Sequence, residues 1–186
     1  YEPHQAARMM RSQKSGIIGF LADEVATTSS SIELIRGAQD AAWAAGRQMM
    51  LFNIERGGES EKRAEAQLSA FRAEAVVYAA RYHQPIEIGP RAIPYVLLNC
   101  FDPKDRHMAF VPDDYQLGYD VTKAMFARGY RKPVFLNLHN VFVAAQLRAQ
   151  GFVAAGKSEG IDLASRVHPG ADEHGFIANR VLPALM

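Results

Sequence analysis

Short apolar runs alternate with helical stretches along almost the whole chain, and this alternation restricts the fold more than any other feature. Each apolar run has the length of a buried strand, and each stretch between them repeats apolar residues at helical spacing. The predicted strands are residues 17–22, 48–53, 75–80, 95–98, 109–111, 133–138 and 164–167, and the predicted helices are 32–45, 61–74, 113–128, 142–158 and 173–185. This pattern is typical of parallel sheets with helices on both faces.

The alternation is interrupted by the polar stretch 102–108, which contains Pro103, and then starts again. We therefore predict two α/β lobes, residues 16–108 and 109–186, preceded by an N-terminal arm, residues 1–15. The second lobe stops on a predicted helix, without the strands that should follow it. We expect this lobe to be incomplete at its C-terminal end.

The composition is ordinary for a globular protein, with 48% hydrophobic and 22% charged residues. Cys100 is the one cysteine, so an internal disulfide is excluded, which fits a reducing compartment. No apolar run approaches the ~20 residues of a transmembrane helix, and the polar start of the chain is unlike a signal peptide. We expect a cytoplasmic protein without membrane contacts.

Motifs of nucleotide-dependent and hydrolytic enzymes give no support for an enzyme. The sequence contains no G-x-G-x-x-G or H-E-x-x-H. Residues 151–158 (GFVAAGKS) and 156–160 (GKSEG) match the letters of G-x-x-x-x-G-K-[ST] and G-x-S-x-G, but they lie at the end of the predicted helix 142–158 and not in the turn after a strand that each motif requires. The histidines are scattered, and the loop that carries Asp102, Asp105 and His107 has no cluster of further metal ligands around it in the sequence. We predict a protein that is not an enzyme and that needs neither a metal nor another cofactor, with an α/β enzyme as an alternative.

Polar and aromatic side chains follow several predicted strands, at the edge where those strands end. Ligands bind at this edge of open parallel sheets, because loops converge there and helix N-termini offer free N–H donors. Each side chain alone could be a cap or a loop residue, but together they suit a polyhydroxylated or heterocyclic small molecule. The residues are Asp23, Thr28 and Ser29 after the first strand, Tyr82 after the third, Asn99 after the fourth and Asp113 after the fifth.

The N-terminal arm concentrates positive charge, with three cations against one anion, whereas the whole chain has a net charge of only +1. Its helix-forming part is shorter than the ~12 residues that an isolated helix needs in water, so a partner must order it. Apolar residues flanked by arginines suit insertion into a DNA minor groove. The alternative is a tail with an ordinary basic bias. The residues concerned are Ala6, Ala7, Met9 and Met10, flanked by Arg8 and Arg11.

The arm and the first strand carry a specific pattern. It reads Tyr1-x-Pro3-x-x-x-Ala7-Arg8-x-Met10-Arg11, followed by Ser15-x-x-Ile18-Gly19. This pattern resembles the hinge helix and the first core strand of the lactose-repressor (LacI/GalR) family of bacterial transcription regulators. The resemblance implies DNA contacts from Tyr1, His4, Ala7, Arg8 and Met10. Met10 stands where a leucine pries open a base step, and His4 replaces the usual asparagine.

Two motifs of the second lobe resemble the same family. They are Val111-x-Asp113-Asp114-x-x-x-Gly118 and Gln146-x-Arg148-x-x-Gly151-Phe152. The resemblance implies that Arg148 clamps an effector with its planar guanidinium and that Asp113 is a ligand-facing acid. The D-x-x-N-P-F-F motif that usually follows the first strand is absent, so the aromatic pair of that wall is missing, and Tyr82 is the candidate to replace it.

The resemblance implies a periplasmic-binding-protein-like fold and a DNA-binding transcription regulator, more specifically a repressor. Such a protein acts as a homodimer on operator DNA, through the arm and through a helix-turn-helix head that precedes Tyr1 in the family. Its operator affinity would be controlled by a small-molecule effector, a sugar or a related metabolite, bound between the lobes. The alternative is a solute-binding protein of a transport system, with the same fold and no DNA binding.

Overall fold

A computed structural model describes residues 14–25, 29–138 and 141–171. The chain divides into two compact units, Tyr1–Val111 and Pro112–Met186. The DNA contacts predicted for the arm, the effector contact predicted for Thr28 and the predicted helix 173–185 all lie outside the described residues. Ser29 is described by its backbone, as the first residue of a helix.

The first unit contains one five-stranded parallel sheet, whose strands lie in the order β2-β1-β3-β4-β5. Two helices connect its first three strands. In chain order the elements are β1 (Ile17–Asp23), α1 (Ser29–Ala44), β2 (Gln48–Ile54), α2 (Glu59–Ala70), β3 (Ala75–Pro85), β4 (Tyr95–Phe101) and β5 (Met108–Phe110). The parallel α/β fold predicted from the sequence is confirmed.

Helices cover both faces of this sheet. Successive residues of a strand point to opposite sides, so neighbouring residues of β1 belong to different buried clusters. Phe20 of β1 belongs to a buried cluster against which Ile35 of α1 packs. Leu21, its neighbour, belongs to the other buried cluster, together with Leu68 of α2. This packing explains the glycine of the motif Ser15-x-x-Ile18-Gly19, because a Cβ at Gly19 would lie 2.6 Å from Cδ1 of Leu68.

Two strands of the first unit are longer than predicted. β3 continues past residue 80 to Pro85, and β4 continues past residue 98 to Phe101. Tyr82 and Asn99 therefore lie within strands, not after them. In each strand the apolar run ends before the backbone pairing does, so the sequence pattern placed both strand ends too early.

β5 also differs from the prediction that residue 109 opens the second lobe. Its residues pair with β4, in the register Val96↔Met108, so the strand belongs to the first sheet. The boundary between the units consequently falls after Val111, three residues beyond the predicted limit at residue 108. The Pro103 loop is a connection within the first unit.

The described part of the second unit, residues 112–138 and 141–171, contains two α-helices packed on each other and a pair of parallel strands. The elements are α3 (Asp114–Ala127), β6 (Phe135–Leu138), α4 (Val143–Ser158), a 3-10 helix (Ala164–Arg166) and β7 (Val167–Ala171). The strand predicted at 164–167 is wrong, because those residues form mainly the 3-10 turn and the strand begins at Val167. Buried Phe126, Phe152 and Leu163 form the core of this unit.

The buried face of α3 is not the face that the apolar spacing indicates. Apolar residues at helical spacing predict a buried face that includes Leu117 and Val121, but these side chains are 48% and 53% exposed. The buried residues are Asp114, Thr122 and Phe126. The helix turns the stripe that contains Gly118 toward α4, because that is where the two backbones come closest.

Candidate functional site

Asp23 ends β1 at the carboxyl edge of the sheet, where it was predicted to contact a ligand. The side chain is buried, and its two oxygens already have protein donors. Oδ1 accepts a hydrogen bond from the backbone N–H of Arg56 (3.3 Å), and Oδ2 accepts one from the Tyr78 hydroxyl (3.2 Å). Burial first, and then the negative charge of Asp23, raise the pKa of Tyr78. Asp23 thus holds β1, β3 and the end of β2 together.

A large bulge in β3 forms the next part of this edge. Ala79 pairs with Leu98 and Gln84 pairs with Cys100, so that residues 80–83 face Asn99 alone. Asn99 has the left-handed backbone conformation, with φ of +58°. Its Nδ2 donates to the carbonyl oxygens of Ala80 and Arg81, both at 3.0 Å. The side-chain amide therefore supplies the donors that the backbone of β4 does not present here.

The bulge displays a cation and an aromatic ring next to each other. The guanidinium carbon of Arg81 lies 5.0 Å from the centre of the Tyr82 ring, which is the geometry of a cation–π contact. Nη1 of Arg81 is 3.9 Å from Glu24 Oε2. His83, which follows Tyr82, is buried with its ring edge-on to that of Phe101. The sequence analysis lists Tyr82 as a candidate but not Arg81, for which the one available signal was its position beside Tyr82; the ligand contact of Tyr82 stays a prediction.

Arg148 lies on α4 and is bound to a buried acid of α3. Its Nε donates to Asp114 Oδ1 at 2.7 Å. The Asp114 side chain is fully buried, whereas the Arg148 side chain is 34% exposed. A buried carboxylate that is hydrogen-bonded to arginine fixes the plane of the guanidinium. Arg148 is consequently held in one orientation with part of its surface in solvent.

Asp113, the predicted ligand-facing acid, is the N-cap of α3. Its Oδ1 accepts a hydrogen bond from the backbone N–H of Gln116 at 2.9 Å, which is the usual role of an aspartate at this position. Its side chain is exposed, so its contact with a ligand stays a prediction. The acid that the sequence did not single out is Asp114, one residue further on.

The glycines of both second-unit motifs explain why Arg148 and Asp114 meet. A Cβ at Gly118 would lie 2.2 Å from the carbonyl oxygen of Arg148, and a Cβ at Gly151 would lie 2.1 Å from that of Tyr115. Both distances are far below any ordinary contact. α3 and α4 therefore touch through their backbones, and the motif spacing sets the distance between the acid and the arginine.

The point where the predicted arm meets the first unit is tied down by a network of hydrogen bonds. Ser15 Oγ donates to the carbonyl oxygen of Arg72 (2.7 Å), and the N–H of Gly16 donates to Glu74 Oε1 (2.8 Å). Arg47 binds the other carboxylate oxygen of Glu74, at 3.1 Å. The Gly16 hydrogen bond and the Arg47 guanidinium hold the pKa of Glu74 below its ordinary value. Residues 15 and 16 are thus fixed to the loops before β2 and β3.

Within residues 14–25, 29–138 and 141–171, no group of three or more His, Cys, Asp or Glu side chains could hold a metal ion. Cys100 is buried, and its burial raises the pKa of the thiol to about 12, so that it is a poor nucleophile at neutral pH. No helix in these ranges is long and apolar enough to cross a membrane.

The fold defines a class: α/β proteins of two units with parallel strands and flanking helices. In open parallel sheets of this kind, ligands bind outside the carboxyl ends of the strands. A family model described as "Periplasmic binding proteins and sugar binding domain of LacI family" matches residues 15–186. The chain belongs to this family. The resemblance stated from the sequence is therefore confirmed.

Named relatives agree with this assignment. The sucrose operon repressor of Escherichia coli is 32% identical over 169 residues, which cover 88% of this chain and 50% of the repressor. The chain thus spans about half the length of that relative. A LacI-family regulator from Rhizobium etli superimposes with a TM-score of 0.70 at 29% identity, covering 84% of this chain and 57% of that one. The lac repressor dimer bound to operator and the anti-inducer ONPF shares the fold, with a TM-score of 0.66 at 19% identity over 92% of this chain and 60% of that one.

Proposed function

We propose that this chain is the effector-binding part of a transcription repressor that acts as a homodimer in the cytoplasm. Family membership and the likeness to the sucrose operon repressor support this function. The effector is a sugar or a chemically similar polyol. The observation that carries the effector class is Arg148, held by buried Asp114 while a third of its side chain remains exposed. A planar guanidinium in a fixed orientation suits pairs of neighbouring hydroxyl groups.

The regulatory step is a shift between two arrangements of the protein, one of which binds operator DNA better. The effector changes their populations only if it binds one arrangement more tightly than the other. The network of Ser15, Gly16 and Glu74 supports this proposal, because it attaches the base of the arm to the loop before β3 of the first unit.

The arm itself is proposed to contact the minor groove of the operator. Met10 is the wedge between base pairs, with Ala7 beside it, and Tyr1, His4 and Arg8 contact the surrounding DNA. A solute-binding protein has the same fold, and the family description names both kinds of protein. The named relatives are repressors, which favours the regulator.

Arg148→Ala in the whole gene product that contains this chain tests the effector site. Calorimetry with sucrose, D-fructose, D-glucose and L-arabinose first identifies the sugars that bind. Loss of the charged hydrogen bonds of Arg148 should weaken that binding by roughly 10- to 150-fold, from about 1.5–3 kcal/mol. Arg128→Ala, at the exposed C-cap of α3, is the matched control and should bind as the wild type does. Wild-type affinity in Arg148→Ala would remove this residue from the site.

Met10→Asp in the same whole protein tests DNA binding. A carboxylate cannot enter the stacked bases and repels the phosphates, so the variant should lose most of its affinity for operator DNA in a titration. Sugar binding should be unchanged in this variant, because position 10 lies outside the residues that form the effector site. Undiminished operator affinity would contradict insertion of this side chain.

A further inference from the structure

The side-chain amide of Asn99 donates its hydrogen bonds to other groups of the protein. Both N–H groups of its amide point at carbonyl oxygens of the β3 bulge, those of Ala80 and Arg81, at 3.0 Å each. Its backbone has the left-handed conformation, which asparagine tolerates better than most residues do. Asn99 is therefore suited to this position for two independent reasons, and neither is contact with a ligand.

The bulge that Asn99 holds has a defined shape and a defined location. Four residues of β3 face this single residue of β4, so the strand is pushed out of the plane of regular pairing. The extruded residues include Arg81 and Tyr82, stacked at 5.0 Å. They lie at the carboxyl edge of a parallel sheet, where ligands bind in such folds. The two carbonyl contacts thus determine where a cation and an aromatic ring are presented.

We propose that Asn99 is a positioning residue for effector recognition and that it acts through Arg81 and Tyr82, which contact the effector. This inference rests on the proposed function. The face of Tyr82 packs on the C–H surface of a sugar ring, and the Arg81 guanidinium donates to its hydroxyl groups. The pair accordingly selects a neutral ring with hydroxyl groups on its rim. Arg81 is a specificity-determining residue of the first unit.

The test uses Asn99→Gly in the whole gene product. Glycine adopts the left-handed conformation freely, so this change removes the amide without straining the backbone. Calorimetry with sucrose, D-fructose, D-glucose and L-arabinose should show at least a tenfold loss of affinity for the sugars that the wild type binds. The urea unfolding transition measured alongside it shows that the variant is folded. Asn99→Asp, which keeps the size but replaces the amide donors with acceptors, is a second variant with the same expected loss.

Asp105→Gly is the matched control. Asp105 also has a positive φ, of 49°, in an exposed loop of the same unit. Its replacement makes the same kind of backbone change away from the bulge, and sugar affinity should stay within twofold of the wild type.

A double-mutant cycle distinguishes positioning from direct contact. Tyr82→Ala alone should weaken sugar binding, and adding Asn99→Gly to it should cost less affinity than Asn99→Gly costs in the wild type, because only Arg81 is left for Asn99 to act through. Arg81→Ala should give the same pattern. In the Arg81→Ala/Tyr82→Ala background, Asn99→Gly should change affinity by less than twofold. Losses that add fully in both double variants would overturn the inference.

The outcomes also separate this inference from the proposed function. Binding of none of the sugars by the wild type would overturn the proposed effector class and this inference with it. Sugar binding that depends on Arg148 but is unchanged in Asn99→Gly and Asn99→Asp would overturn the inference alone.

Discussion

Gly151→Ala should destabilise the protein, although alanine is the better helix former. Gly151 lies inside α4, at the closest approach to α3. An added Cβ would lie 2.1 Å from the carbonyl oxygen of Tyr115 and 2.7 Å from the backbone nitrogen of Tyr119. Both obstacles are backbone atoms of a packed helix, so no side-chain rotation relieves the clash. α3 and α4 must move apart to accept the methyl group.

The magnitude follows from two opposing terms. Overpacking of a well-packed contact costs typically 1–3 kcal/mol, and the upper part of this range applies because backbone must move. Replacing glycine by alanine inside a helix gains about 0.5–1 kcal/mol. The net effect of Gly151→Ala on the free energy of unfolding is therefore a loss of about 2 kcal/mol.

Gly37 supplies the matched control for this substitution. It lies in the middle of α1, and a Cβ there would meet nothing within 4 Å. Gly37→Ala keeps only the favourable term and should stabilise the protein by about 0.5–1 kcal/mol. The same substitution is thus expected to lower the free energy of unfolding at Gly151 and to raise it at Gly37. The two effects should differ by about 3 kcal/mol.

Urea unfolding of the whole gene product, followed by circular dichroism, measures both variants against the wild type. If the units unfold separately, the loss from Gly151→Ala should be confined to one transition and the gain from Gly37→Ala to the other. A Gly151→Ala protein as stable as Gly37→Ala would refute the conclusion that backbone contact between α3 and α4 requires glycine.

Two further predictions concern carboxylates of the first unit. Arg106 donates two hydrogen bonds to Asp102 and holds its pKa at about 2, below the ordinary 3.8. The stabilisation of the folded protein by this ion pair is therefore present above about pH 4 and lost as the pH falls through 2. The difference in unfolding midpoint between the wild type and Asp102→Asn should shrink over that interval. Glu74→Gln keeps an acceptor for the N–H of Gly16 but loses the ion pair with Arg47. Amide exchange of Gly16, measured by NMR, should accelerate roughly fivefold, from a loss of about 1 kcal/mol, and unchanged exchange would show that the charge is not needed.

The sheet of the first unit could be predicted from the sequence because its strands are continuous apolar runs. The runs 17–22 and 48–53 correspond closely to β1 and β2. The continuation of β3 into the bulge could not be predicted. It depends on pairing with a distant strand and on one asparagine side chain, and residues 81–84 have no strand-like alternation of their own.

The second unit shows a different limit. Helical spacing identified α3 correctly, but two stripes of its surface carry apolar residues, and the spacing does not say which one is buried. Gly118 was the available signal, because a glycine inside a helix often marks a close contact with a neighbouring backbone. The same contact places Asp114, and not Asp113, against Arg148.

In each unit a polar side chain is hydrogen-bonded to neighbouring protein groups and so helps to determine how those neighbours are presented. Asn99 does this for Arg81 and Tyr82, and Asp114 does it for Arg148. The position of Asn99 after a predicted strand placed it among the candidate ligand contacts, and the motif around Asp113 drew attention away from the buried Asp114, since neither signal says which way a side chain faces. In each unit a guanidinium is left partly exposed, and under the proposed function each of them is a hydrogen-bond donor suited to an effector that carries oxygen acceptors. Their charge is already balanced by Glu24 and Asp114. A neutral polyol therefore fits these residues better than an anion does, because it needs hydrogen-bond donors without an excess of positive charge.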